Sequence, residues 1–139
     1  MTKNRFPIIK RDSDECEIDI AGEKIRPHIG ESVYFIPYLS VGKALKLTEA
    51  MDKISNSDMD IIGQLRIIAN IADILAQVID HWNWTHPITG ENIGAKMGKE
   101  YKPDSEAIQE LGADEVSFLI NEFFGVMSPE ENPPPASSE

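Results

Sequence analysis

With 139 residues, the chain can bury one sizeable hydrophobic core but not two independent ones. Its net charge of -11 disfavours nucleic acid and anionic membrane as partners, since both need Lys and Arg gathered on one face. Cys16 is the only cysteine, so no intramolecular disulfide can form. No apolar run approaches the ~20 residues that span a bilayer, and no apolar signal region follows Met1-Thr2-Lys3-Asn4-Arg5, which places the expected site of action in cytoplasm.

Residues up to about Asp14 are polar and charged apart from Phe6-Pro7-Ile8-Ile9, and read as an arm or loop. From Cys16 to Pro37 the pattern is β. Glu17-Ile18-Asp19-Ile20 alternates, Gly22-Glu23 supplies a turn, Ile25 to Ile29 alternates again, and Val33-Tyr34-Phe35-Ile36 is apolar on both faces. A three-stranded antiparallel unit follows from this, with one conflict. Pro27 cannot donate to a ladder, yet a simple meander puts its strand in the centre.

Ser40 is the expected N-cap of a helix through about Ile54, and Ser55-Asn56-Ser57-Asp58 breaks it. A long helix is then expected from about Met59 to Trp82. Its polar residues Arg66, Asn70, Asp73, Gln77 and Asp80 fall within an arc of about 80°, leaving most of the circumference apolar. A helix on one core needs an apolar arc of roughly 100° or somewhat more. Two readings stand: a central helix wrapped by its own chain, or a flank of Ile67, Ile71, Ile74 and Val78 that packs on another protein or a second copy. On the second, replacing Ile71 and Ile74 by Asp abolishes association while the fold survives.

His81-Trp82-Asn83-Trp84-Thr85 closes this helix, and the segment from Asn83 to Asp104, without periodicity, reads as a long loop, of a length that is usually functional or disordered. Trp82 and Trp84 either clamp the core or anchor a partner. Ser105 is the expected cap of a short helix from Glu106 to Leu111 closed by Gly112. A final helix runs from about Asp114 to Met127, its apolar face widened by Phe118 and Phe124. Residues 128–139 read as a disordered Pro-rich tail. The fold class is therefore α+β and mostly helical, with one domain over residues 1–127: a β unit at 15–39 and a helical body of three to four helices at 40–127.

Residues for chemistry are sparse. His81 and His86, five apart across a helix end, match no metal-ligand spacing, and neither Asp80 nor His28 completes one. Cys16 sits beside acidic residues that blunt a thiol, and Ser32, Ser40 and Ser117 lack a partnered base. The glycines Gly90, Gly94 and Gly98 do not make a phosphate loop, because Gly98-Lys99 is followed by Glu100 and no strand is expected before them. An enzyme is not expected, nor any cofactor or metal.

The order of features resembles the tail assembly chaperones of long-tailed bacteriophages. The resemblance rests on Val33-Tyr34-Phe35-Ile36-Pro37-Tyr38-Leu39-Ser40-Val41-Gly42 ending the β region, a helical body, Trp82-Asn83-Trp84-Thr85 with a Gly-containing loop, and the close from Leu111 to Phe124. The turn after Thr85 carries His86-Pro87-Ile88-Thr89, where that family is usually acidic. The resemblance implies a non-enzymatic protein of the host bacterial cytoplasm that coats the tape measure protein, delivers it to the growing tail tube and is absent from the mature virion. Ile67, Ile71, Ile74, Val78, Trp82, Trp84, Phe118 and Phe124 are then the expected client or self-association surface. A small acidic inhibitor of a host protein, binding through residues 83–104, and a minor structural tail or neck protein are the alternatives.

Overall fold

A computed structural model of the chain describes residues 7–54 and 60–127. Strand β1 (Ile9–Asp12) lies in the stretch expected to be an arm, and β2 (Ile18–Ile20), β3 (Glu23–Ile25) and β4 (Ser32–Phe35) follow. The expected three-stranded unit is in fact divided. β2 and β3 pair only with each other, Ile18 opposite Ile25 and Ile20 opposite Glu23. Ala21 and Gly22, with φ of 54° and 88°, form the two-residue turn whose twist suits a hairpin. Pro27 lies beyond β3 in a turn, so its missing N–H breaks no ladder.

β4 belongs to a different sheet, of five antiparallel strands in the order β1-β4-β5-β7-β6, with β5 at Ile79–Trp82, β6 at Ala95–Met97 and β7 at Glu100–Lys102. Val33 stands opposite Trp82 and Phe35 opposite Ile79, all buried; Tyr34 and His81 face the other way and stack at 4.2 Å. Among the described residues four helices accompany the sheet: α1 (Val41–Ile54), α2 (Ile61–Val78), α3 (Ser105–Gln109) and α4 (Ala113–Met127). They hold less than half of the described residues, so the chain is mixed α+β rather than mostly helical.

Ser40 caps α1 as expected, its Oγ accepting from the Lys43 amide. Asp60 caps α2 through the Gly63 amide. The expected break at Ser55–Asp58 and the tail at 128–139 lie outside the described residues. α1 and α2 run antiparallel, tied by Lys43 to Gln77 at one end and by Gln64 to the Ile54 carbonyl at the other. Asp104, rather than Ser105, caps α3, accepting from the Ala107 amide.

The long helix ends four residues early. Val78 is its last residue, and the chain passes directly into β5. No Gly or Pro forces this stop. The exposed carbonyls at a helix end need donors, and distant parts of the chain supply them. The Ile36 amide donates to the Val78 carbonyl at 2.8 Å, and the Lys102 ammonium donates to those of Ala76 and Ile79 at 3.3 and 2.7 Å. A cation there also suits the negative end of the helix dipole. Lys102→Met is accordingly expected to lower unfolding free energy by about 1.5–3 kcal/mol in urea titrations.

α2 is packed by α1, α3, α4 and β5, so of the two readings of its wide apolar arc the chain realises the first. Ile68, Ile71, Ala72, Ile74, Leu75 and Val78 are buried, while Arg66, Asn70, Asp73 and Gln77 face solvent. By length and composition alone α2 could cross a membrane, with 18 residues of mean hydropathy 1.4, which qualifies the expectation that no apolar run comes close. At about 1.5 Å per residue it falls just short of a ~30 Å hydrocarbon core, and it carries Arg66 and Asp73.

Candidate functional site: an apolar groove backed by a buried ion cluster

The residues expected to meet a partner are mostly inside. Ile71, Ile74, Val78, Trp82 and Trp84 are between 0 and 4% exposed, and Ile67, Phe118 and Phe124 are half-buried against the same core. The physical reason is that α1, α3, α4 and β5 all pack on α2, with Ile67 and Ile71 bordering α1 beside Ala50. Residues 83–104, expected to be a loop without periodicity, form β6 and β7, while α3 falls where a short helix was expected. The tryptophans clamp the core. Trp82 Nε1 donates to the Ile93 carbonyl and Trp84 Nε1 to Ser13 Oγ, both at 2.8 Å, and the two rings stack at 5.0 Å.

Behind Trp84 lies a feature absent from the sequence reading. His28, wholly buried, stacks on the Trp84 ring at 3.7 Å. Its Nδ1 is 2.7 Å from Glu31 and its Nε2 is 2.6 Å from Glu115. Glu31 also accepts from the Thr85 amide and hydroxyl, and Glu115 from the Gly112 amide. The three side chains thus form one hydrogen-bonded trio, with a carboxylate at each imidazole nitrogen. It joins three elements: the turn before β4, the Trp-rich segment and the first turn of α4.

Glu115 also lines a broad apolar depression that brings the N-terminal hairpin and the helices together. This groove, of about 550 Å³, lies between β2, the start of α2, the turn after Thr85 and the α3–α4 junction. Ile18 and Leu111 are its buried apolar side chains; Ile20, Ile61 and Ile88 border it at 47, 63 and 83% exposure. Ile88 is held at the tip of a turn in which His86 Nδ1 accepts from the Ile88 amide and the Gly90 amide donates to the His86 carbonyl. Ile62 and Leu65, also exposed, continue the apolar surface along α2. Its volume is that of a pocket for a compact ligand or a few side chains of a partner.

The lone thiol is not poised as a nucleophile. Cys16 is buried, and its thiol is pushed up from 9.0 to about 12, first by burial and then by the carboxylates of Glu115, Asp114 and Glu122. The folded protein keeps a proton that the unfolded chain releases near pH 9. The associated stability is complete below that pH and falls as pH rises toward 12, by at most ~1.4 kcal/mol per pH unit. Urea midpoints of the native chain are expected to drop over this range more steeply than those of Cys16→Ala. His81 is spent on Asp80 and Glu100, and among the described residues no group of three or more His, Cys, Asp or Glu side chains is placed to hold a metal ion.

No family model, no curated protein and no solved structure matches this chain. What its own residues define is a small α+β protein with an open isoleucine-lined groove mounted on a rigid aromatic and ionic core.

Proposed function

We propose that this chain is a non-enzymatic binding protein of the tail assembly chaperone kind, which holds the tape measure protein of a long-tailed bacteriophage and hands it to the growing tail tube. The observation that carries the reading is the groove. Three large branched side chains, Ile20, Ile61 and Ile88, stand between 47 and 83% exposed around one depression, drawn from three separate segments. Such surface is costly to leave in water and marks a protein contact. The net charge of -11 keeps a protein with that surface soluble between contacts. In this reading the protein acts in the host bacterial cytoplasm, self-associates and leaves before the virion matures. Trp82 and Trp84 serve as scaffold, and the docking role expected of α2 passes from Ile71, Ile74 and Val78 to Ile61 and its neighbours.

The experiment is a tagged pull-down from infected or prophage-induced cells, with bound proteins identified by mass spectrometry. A single very long, helix-rich tail protein, retained by the native chain and lost from the Ile20→Ser, Ile61→Ser, Ile88→Ser variant, is the expected result. Recovery of a host enzyme or polymerase instead would replace this reading with that of an acidic inhibitor. Presence of the chain in purified virions would replace it with that of a structural tail or neck protein.

A further inference from the structure

The groove also carries a pattern of charge. Asp19, Glu110, Asp114 and Glu115 line it, and His86 is the single lining residue able to become positive. Glu115 is committed to His28 and the Gly112 amide. Asp19 and Asp114 accept only from backbone amides, those of Gly22 and Asp19 respectively. Among the described residues, none of Asp19, Glu110 and Asp114 pairs with a Lys or Arg, although Arg26 and Arg11 are engaged by other carboxylates. Helix α4 offsets part of this charge, because Asp114 and Glu115 sit in its first turn. Glu110, the C-cap of α3, stands at the negative end of its helix, and Asp19 lies opposite Lys24 across the hairpin without an ion pair between them among the described residues.

The same contacts say how a partner can approach. Adding a strand beside β2 requires main-chain groups on its outer edge. The Asp19 amide, which points away from β3, is already held by Asp114. Recognition must therefore proceed through side chains, as when a helix lays its apolar face in a groove.

We infer that the groove takes an amphipathic helix of a partner protein whose apolar face is flanked by Lys or Arg. Isoleucines contact that face, and Asp19, Glu110 and Asp114 meet the flanking cations. The inference rests on the groove being the client surface proposed above and adds the chemistry of what it selects. The chain's own C-terminal residues do not fit, since 128–139 carry Glu130, Glu131 and Glu139 and no cation.

The test uses two labelled helical peptides with one shared Leu/Ile face, flanked by Lys in one and by Glu in the other, titrated with the full chain and followed by anisotropy. The Lys-flanked peptide is expected to bind, and to weaken about tenfold or more between low and high salt. The variant Asp19→Asn, Glu110→Lys, Asp114→Asn keeps the side-chain acceptors for Gly22 and Asp19. It is expected to lose the preference for Lys while retaining its fold. Equal binding of both peptides overturns the charge selection, and binding unchanged by Ile20→Ser with Ile88→Ser overturns the groove as the site. Residues 1–6 contain Lys3 and Arg5; tighter peptide binding after their removal would make them the occupant and overturn a partner helix. If this charge variant still captures the tail protein as the native chain does, the chaperone reading stands and the charge inference falls. If neither captures it, the chaperone reading itself falls.

Discussion

His28→Ala is expected to lower unfolding stability by about 3–5 kcal/mol, which for a domain of this size is a large share of the total. The loss has three sources. Two carboxylates lose their common partner, at 2.7 and 2.6 Å, and Glu115 is 2% exposed with the Gly112 amide and the N-terminal end of α4 left to answer its charge. The Trp84 ring loses the imidazole stacked at 3.7 Å. A void opens where His28 had been wholly buried. Glu31 suffers less, because the Thr85 amide and hydroxyl still donate to it. Urea titration of His28→Ala, Glu115→Gln and the double variant gives the apportioning. The double variant is expected to be clearly more stable than the sum of the single losses predicts, since it leaves no unpartnered carboxylate at position 115 and only Glu31, which Thr85 still answers. A loss below about 1 kcal/mol for His28→Ala would show that the trio does not fasten α4 to the Trp-rich segment.

This cluster was illegible in the sequence because its members, His28, Glu31 and Glu115, come from a turn and a distant helix. Local signals were read well where they suffice. Ser40 before α1, the Gly22 turn and the acidic first turn of α4 each carry their own physics within a few residues. The errors fall where distant groups decide. Ile79-Asp80-His81-Trp82 continues the helical spacing of α2, yet Ile36 and Lys102 take the carbonyls that would have carried the helix onward. β6 and β7 are three residues each, too short to show a period of two, and Gly98 at φ 69° makes the turn between them. The groove had two local signals, apolar Ile61-Ile62 directly after a cap and apolar Ile88 at a turn tip, where polar residues are usual.

Amphipathicity shows which side of a helix is apolar, but not which chain covers it, and the Ile71→Asp, Ile74→Asp variant makes the difference measurable. A free flank would let this variant keep its fold and lose only association. In the structure Ile71 and Ile74 are 3 and 4% exposed, on a helix packed by α1, α3, α4 and β5. Each carboxylate would be buried without a partner and would also remove a branched side chain from a close-packed core. Together they are expected to remove more than about 5 kcal/mol, enough to abolish cooperative unfolding in a domain of ordinary stability. Near-ultraviolet circular dichroism, which reports the packed Trp82 and Trp84, is expected to collapse. Ile61→Ser with Leu65→Ser, on the same helix but 63 and 50% exposed, is expected to change stability by only about 0.5 kcal/mol per site and leave that signal intact. A folded Asp variant would put the docking surface back on the α2 flank. An unfolded one beside a folded Ser variant separates core from groove on a single helix, so that any partner lost by the Ser variant is lost for want of contact rather than of fold.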